Sequence, residues 1–487
     1  MTKRDFPRIH FYDQDFVDIY DKTWAWIQDC WNIGSIEITE NPTPTKKSNN
    51  INNPIEGKFF AYAESSIIEQ TDAIFSSFFL VYSNRIYQAY PTLDIFYERQ
   101  EPNGAIRSAY NIETGQPVIK ENNPEGIGIP LFAWAEFNLY HKTANKKRVK
   151  DVLTILHKYM EWIDSKFKCP NGLYKVPLNA TNMVNAPKEN VVYPMDFNTM
   201  VAINVLYMSA LADILNDKEA SFQYKRQYFS LKTRINGLMW DSDTSFYYDI
   251  DENEKHLKVK MVSAYWALLA EIPNEDKAGR LIAKLQDPQF FGTPHPFPSV
   301  AVNEPCFDEL GQGYRGAVFP HLTFMVIKGL ERYQNWDLAR ECAIRHLYFV
   351  LDSMHPEGNG HNNKAQLWEA YLPLKEGKAE WKENRAQYLT YTALSTICLT
   401  IENIVGLFIS LPKKTVDWII PNLEVMGVEN LSLKKNMITI LSNKSGRGWE
   451  IHMESEKLFY FTINILGKKK KTLPIPSGKC SMLIDKL

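Results

Sequence analysis

Ala202-Ile203-Asn204-Val205-Leu206-Tyr207-Met208-Ser209-Ala210-Leu211-Ala212-Asp213-Ile214-Leu215 is apolar almost all round, and it is followed at once by Asn216-Asp217 and a strongly charged stretch from Glu219. A helix apolar on every face must be buried, whereas one with a charged face lies outside. Two turn-forming residues between them make a helical hairpin of one buried and one amphipathic member. The spacing predicts helices over 197–215 and 219–238. The same pair recurs along the chain. Helices are expected over 16–31, 71–86, 92–99, 131–140, 147–166, 261–270, 276–285, 318–333, 337–353 and 388–409. In 147–166 the apolar residues Val152, Leu153, Leu156, Tyr159, Met160 and Ile163 keep helical spacing. The period of roughly 50–70 residues is too irregular for a superhelical array of short repeats. Five or six such hairpins, buried members inside and amphipathic members outside, make an α/α barrel.

At 487 residues the chain exceeds an ordinary single domain, but a barrel closes one large core from many similar units. After Pro412 the pattern becomes short, β-branched and alternating, with breakers at Ser445-Gly446, Gly467 and Ser477-Gly478. The expected organisation is a mainly α, (α/α)6-barrel domain over residues 1–411 and a small C-terminal antiparallel β domain over 412–487. The net charge of −2 gives no basic field for nucleic acid. One lysine cluster, 468–471, reads as a solvated turn between strands. The six cysteines are scattered and lack metal-finger spacing. No stretch reads as a membrane span or as a secretion leader, so the expectation is a cytoplasmic protein without membrane partners, a leader removed earlier being left open.

Two late segments carry the chemistry. Tyr314-Arg315-Gly316-Ala317-Val318-Phe319-Pro320 follows Gly311-Gln312-Gly313, and Leu367-Trp368-Glu369-Ala370-Tyr371-Leu372-Pro373 comes about fifty residues later. Aromatic faces suit pyranose rings, an arginine forks onto hydroxyls or carboxylates, and one glutamate can deprotonate water. Glu369 is therefore the candidate base. Asp196, in Tyr193-Pro194-Met195-Asp196-Phe197, reads as a helix cap or as a catalytic carboxylate, and Asp72 in Glu69-Gln70-Thr71-Asp72 is ambiguous in the same way. His295, in a proline-rich loop, reads as a solvated side chain that could touch substrate. The aspartates 241, 243, 249 and 251 match no metal-loop spacing and read as a pair of β-turns, so no metal and no cofactor are expected.

Across residues 64–406 the chain resembles glycoside hydrolase family 63, among the trehalase-like α/α-toroid glycosidases, and looks closest to its mannosylglycerate-hydrolase-like branch. Tyr314-Arg315-Gly316-Ala317-Val318-Phe319 is similar to the family's Tyr-Trp-Arg-Gly-Pro-Val-Trp. Trp368-Glu369-Ala370-Tyr371-Leu372-Pro373 is similar to its Glu-Asn-Tyr-Asn-Pro, which carries the general base. Segments 93–100, 131–136 and 296–300 also look like family segments. The resemblance implies an inverting glycosidase acting on a short, α-linked glycoside or glycoconjugate. Glu369 would be the base, and Gln70, Asp72, Asn185, Tyr314, Arg315, Trp368 and Tyr371 would bind the carbohydrate.

The family's acid is an Asp in a loop that matches Asn182-Met183-Val184-Asn185-Ala186-Pro187, and Val184 falls where that acid belongs. Valine donates no proton. Several readings stay open: Asp196 (the candidate carried forward) or Glu189 supplies the proton, the substrate's own carboxylate does, the leaving group needs little help, or the protein binds glycan without hydrolysing it.

Overall fold

The computed structural model describes residues 6–33, 53–63, 65–83, 86–354, 365–433 and 435–484. Among these, the helices in chain order are α1 Gln14–Ile27, α2 Gln70–Leu80, α3 Pro91–Glu98, α4 Phe132–Thr143, α5 Lys146–Phe167, α6 Met195–Leu215, α7 Lys218–Leu238, α8 Trp266–Leu269, α9 Glu275–Gln286, α10 Pro320–Arg332, α11 Trp336–Asp352 and α12 Leu389–Ala393, which runs on as a π-helix over Leu394–Ile404. The even-numbered helices form a closed ring. α2 packs on α4, α4 on α6, α6 on α8, α8 on α10, α10 on α12, and α12 returns to α2. Odd-numbered helices pack outside it, and α1 completes the outer layer against α11 and α12. This is the (α/α)6 barrel.

The hairpin junctions explain the alternation. Asn216 takes the left-handed conformation (φ 60°) that stops α6, and the next residue, Asp217, caps α7 by accepting from Ala220 N–H. Ala144 and Asn145 repeat the device between α4 and α5. These inner-to-outer links are short, whereas every outer-to-inner link is long. All the long loops therefore collect at the N-terminal ends of the inner helices. The opposite end is closed by ions. Glu402 pairs with Lys142 at 2.6 Å and Lys328 at 2.8 Å, and Lys328 also reaches Glu331 at 2.7 Å, joining the C-terminal ends of α4, α10 and α12.

Several boundaries differ from the sequence reading. α10 starts at Pro320 rather than Val318, because proline is suited to the first helical turn. The segment expected as a helix over 261–270 is a 3-10 turn, Val262–Tyr265, leading into the single turn of α8. α6 is long and apolar enough to cross a membrane, although no span was expected, yet most of it is buried within the barrel. The last helix ends before Gly406, whose backbone (φ 85°) lies so close to Ile419 O that a Cβ would sit 2.3 Å away. Leu407–Ser410 is then a strand. Residues 355–364, between the helices expected over 337–353 and 388–409, lie outside the described residues.

The C-terminal region forms two sheets. One is antiparallel throughout and takes Met426–Leu433, Asn436–Ser445, Gly448–Ser455 and Gly478–Ile484, with Arg8–His10 from the start of the chain paired to Met426–Leu433. The other takes Leu407–Ser410, Thr415–Ile420, Phe459–Ile465 and Lys469–Ile475, with one parallel pairing between Thr415–Ile420 and Phe459–Ile465. Lysines 470 and 471, expected in a turn, lie on its edge strand. Charged edges of this kind discourage strand addition from another chain.

Candidate active site

The two segments singled out in the sequence lie against each other. Val318 N–H donates to Tyr371 O at 2.9 Å and Tyr371 N–H to Val318 O at 3.0 Å. Gly313 and Gly316 make the approach possible. A Cβ on Gly316 (φ 140°) would meet Asp308 O at 2.2 Å, and one on Gly313 (φ 61°) would meet the Asn185 side chain at 2.6 Å. Beyond Tyr371 the chain doubles back, and Glu369 N–H donates to Arg385 O at 2.9 Å.

That return places Arg385 on Glu369. Arg385 Nε donates to Oε2 and Nη2 to Oε1, each at 2.7 Å, a two-pronged charge-assisted pair. The Glu369 side chain is 4% exposed and that of Arg385 35%, so the guanidinium lies on the solvent side of the carboxylate. Arg385 also lies on the face of Tyr388, 3.5 Å from the ring centroid, with Tyr62 beyond at 5.7 Å. Asp72 sits nearby in the first turn of α2. Its Oδ1 accepts from Thr390 Oγ1 at 2.5 Å, and its Oδ2 from Glu69 N–H at 3.0 Å in a reciprocal capping box. Burial, reinforced by the Glu69 carboxylate, pushes the Asp72 carboxyl up to about 7 against the pull of its hydrogen bonds and Arg385.

An aromatic wall surrounds these groups. Tyr314 stacks on Phe319 (4.2 Å between centroids, 6° between planes), and Trp381 meets both rings edge-on. His321 stacks on Tyr391 at 3.6 Å. Burial, aided by Arg385, holds the His321 imidazole well below its usual range and so neutral. His321 Nδ1 and Tyr388 OH are buried without hydrogen-bond partners. Neutral donors and acceptors beside aromatic faces suit sugar hydroxyls.

The other expected site residues make contacts within the protein. Gln70 donates to Ile106 O and Arg107 O at 3.4 and 3.3 Å, tying a loop to α2. Tyr371 is buried, and its hydroxyl accepts from Trp368 N–H at 2.9 Å. Trp368 is partly exposed, with Lys378 4.6 Å above its ring. Asn185 accepts from Tyr314 N–H and donates to Gln312 O, both at 2.8 Å, stapling its loop to the Tyr314 segment. Arg315 continues that staple, donating to Asn185 O at 3.2 Å and to Glu189 at 3.0 Å.

Asp196, the candidate acid, is engaged inside the protein. It is wholly buried, ion-paired with Lys188 and hydrogen-bonded by Thr181 Oγ1 at 2.8 Å. Burial disfavours the Lys188 ammonium, but Asp196 and then Asp249 outweigh that and hold it charged. The Asp196 side chain has no surface open to solvent. Glu189 is no better suited. Its own backbone N–H and then Arg315 hold it below the usual carboxylate range. Val184 is 60% exposed.

His295 is buried rather than solvated. Its Nδ1 lies 3.0 Å from Leu372 O, its Nε2 2.7 Å from His346 Nδ1, and His346 Nε2 2.9 Å from Ser395 Oγ. The carbonyl can only accept, so the chain of donors runs from Ser395 to Leu372. It buttresses the loop three residues beyond Glu369. Two of the aspartates read as turns have partners: Asp241 pairs with Lys258, and Asp249 accepts from Met195 N–H at 2.5 Å. Arg385, Tyr388, Tyr391, His321 and Trp381 were not foreseen. For all but His321, the signal was the aromatic density of 381–391, around the start of the helix expected over 388–409.

Comparison with known proteins places these features in a family. Residues 83–387 match the mannosylglycerate hydrolase MGH1-like glycoside hydrolase domain, and residues 406–487 match the trehalase C-terminal domain. An uncharacterized protein of Borreliella burgdorferi is 50% identical over the full length of both chains. A mannosylglycerate hydrolase of Rubrobacter radiotolerans is 26% identical over 193 residues, covering 37% of this chain and 42% of that protein. Among solved structures, the fold is shared with the GH63 mannosylglycerate hydrolase of Thermus thermophilus in complex with glucose, at a TM-score of 0.60 and 15% identity, over 78% of this chain and 99% of that one. The chain belongs to the MGH1-like glycoside hydrolases, with a trehalase-type C-terminal domain behind the barrel.

Proposed function

We propose that this glycoside hydrolase cleaves a short, α-linked glycoside or glycoconjugate with inversion, and that Glu369 is the base. The position of Glu369 supports this most directly: a buried carboxylate, held rigid by Arg385, at the barrel end where the inner helices begin. Helix N-termini carry partial positive charge, which favours carboxylates gathered there. Arg385 occupies one lone pair on each oxygen, and a carboxylate has about four such sites, so a water can still donate to Glu369. The water then attacks the anomeric carbon as Glu369 takes its proton. Tyr388, His321, Asp72 and the Tyr314–Trp381 wall would hold the sugar.

A second reading is a glycan-binding protein without turnover. It is favoured by the ion pairs that occupy Asp196 and Glu189. One experiment separates the two. A panel of α-glycosides and glycosylglycerates is assayed with wild type and Glu369→Gln. Loss of base catalysis is typically worth about 10²–10⁴-fold in rate, and a drop of that size is expected. Undiminished hydrolysis by the variant would remove Glu369 from the role, and calorimetric binding without turnover by wild type would favour the second reading.

A further inference from the structure

Glu369 and Arg385 belong to one ribbon of chain. Trp368 bridges to Ala386, Glu369 N–H donates to Arg385 O at 2.9 Å, and Gln387 N–H donates to Leu367 O at 2.6 Å. The ion pair therefore fixes the Glu369 carboxylate against its own ribbon. Val318, just before α10, holds that ribbon on one side through Tyr371. On the α11 side His295 holds it twice. Its ring Nδ1 lies 3.0 Å from Leu372 O, and its backbone N–H donates to Pro373 O at 3.1 Å. Behind it come His346 of α11 at 2.7 Å and Ser395 of the π-helix at a further 2.9 Å, all three residues being buried. Burial holds both imidazoles below their usual range, His346 at about 3, so both rings are neutral. A neutral imidazole has one donor and one acceptor nitrogen. With a carbonyl at the end, one arrangement of protons remains: Ser395 Oγ–H to His346 Nε2, His346 Nδ1–H to His295 Nε2, His295 Nδ1–H to Leu372 O.

We propose that His295, His346 and Ser395 are positioning residues for the hydrolysis, a relay that anchors the ribbon of Glu369 to α11 and the π-helix and so sets where the base stands. The proposal rests on the reading of Glu369 as base. Tyr371 carries the constraint back to Glu369. His295 meets its ring edge-on at 5.8 Å, and its hydroxyl accepts from Trp368 N–H at 2.9 Å. A displaced Leu372 would thus move both neighbours of the base. A misplacement of about 1 Å can cost about 10²-fold in rate. A fully satisfied buried polar network specifies one geometry, which apolar packing at the same place would not. Ser395 also lies in the π-helical stretch Leu394–Ile404, a kind of irregularity frequent at functional sites.

The test uses full-length protein and the α-fluorides of glucose, mannose and galactose. The amide nitrogen of asparagine overlies imidazole Nδ1, and that of glutamine overlies Nε2. His295→Asn therefore keeps a donor to Leu372 O and loses the link to His346, whereas His295→Gln keeps the link and loses the donor. His295→Gln is expected to lower kcat by about 10²-fold with KM within about two-fold, and His295→Asn to stay within about ten-fold of wild type. Each variant leaves one buried group unpaired, so both should lower the thermal midpoint alike. A role in stability alone would lower it without separating the two kcat values. Ser395→Ala leaves both rings in place and frees His346 to take its other tautomer, so kcat should fall several-fold at unchanged KM. Equal kcat in the two His295 variants, or a loss carried by KM, would overturn the relay while leaving Glu369 as base. Should neither His295 variant fold, an unchanged kcat in Ser395→Ala would overturn it instead. Wild type inert on all three fluorides would overturn both proposals.

Discussion

Arg385 sets what Glu369 can do. Hydrogen bonds to charged groups contribute about 1.5–3 kcal/mol each, and here two of them fix a carboxylate in a single orientation. Arg385→Gln keeps some of the volume and removes the charge. It should lower stability by about 2 kcal/mol, read as a lower thermal midpoint, because Glu369 is left buried without its cation. An unchanged midpoint would show that the pair contributes nothing. Asp72 makes a different prediction. Its carboxyl is raised from 3.8 to about 7, so the folded state holds a proton there that the unfolded state has already released. Stability should therefore fall as pH rises from about 4 to about 7. Asp72→Asn should flatten this part of the midpoint-against-pH curve, and the same slope in wild type and variant would contradict it. Glu369, Asp72 and Tyr314 were legible because aromatics or cap residues flank them in sequence. Arg385 was not, because a loop delivers it from sixteen residues beyond its partner. The ion pair of Asp196 was hidden for the same reason: Lys188 lies upstream in an irregular segment with no periodicity to read.

At the scale of elements, the hairpins were the most legible part of the chain. Apolar periodicity distinguishes buried from amphipathic helices, and Asn216-Asp217 marks its junction by residue type alone. The cap has a measurable weight. Asp217→Ala should destabilise the barrel by about 1 kcal/mol and leave substrate affinity untouched, with a midpoint equal to wild type as the contrary result. The misread elements share a cause. Leu407–Ser410, the 3-10 entry to α8 and the edge strand at Lys469 are set by tertiary neighbours rather than by local propensity. The parallel pairing of Thr415–Ile420 with Phe459–Ile465 joins segments some forty residues apart, a distance over which alternation says nothing about direction.

The whole molecule separates chemistry from closure. Long loops and helix N-termini gather at one end of the barrel, and the Lys142–Glu402–Lys328–Glu331 network locks the other. Breaking a buried ion pair by removing one partner typically costs about 3–5 kcal/mol. Glu402→Gln should therefore lower the thermal midpoint strongly while KM stays that of wild type, and a changed KM with an unchanged midpoint would refute this division. The central claim is that Glu369 activates water for inverting attack. Its most direct test follows the first sugar anomer released from an α-glycosyl fluoride by proton NMR, with wild type and Glu369→Gln side by side. The β-anomer appearing first with wild type, and no enzymatic release with the variant, is the predicted result; the α-anomer appearing first, or equal release by both proteins, would contradict it.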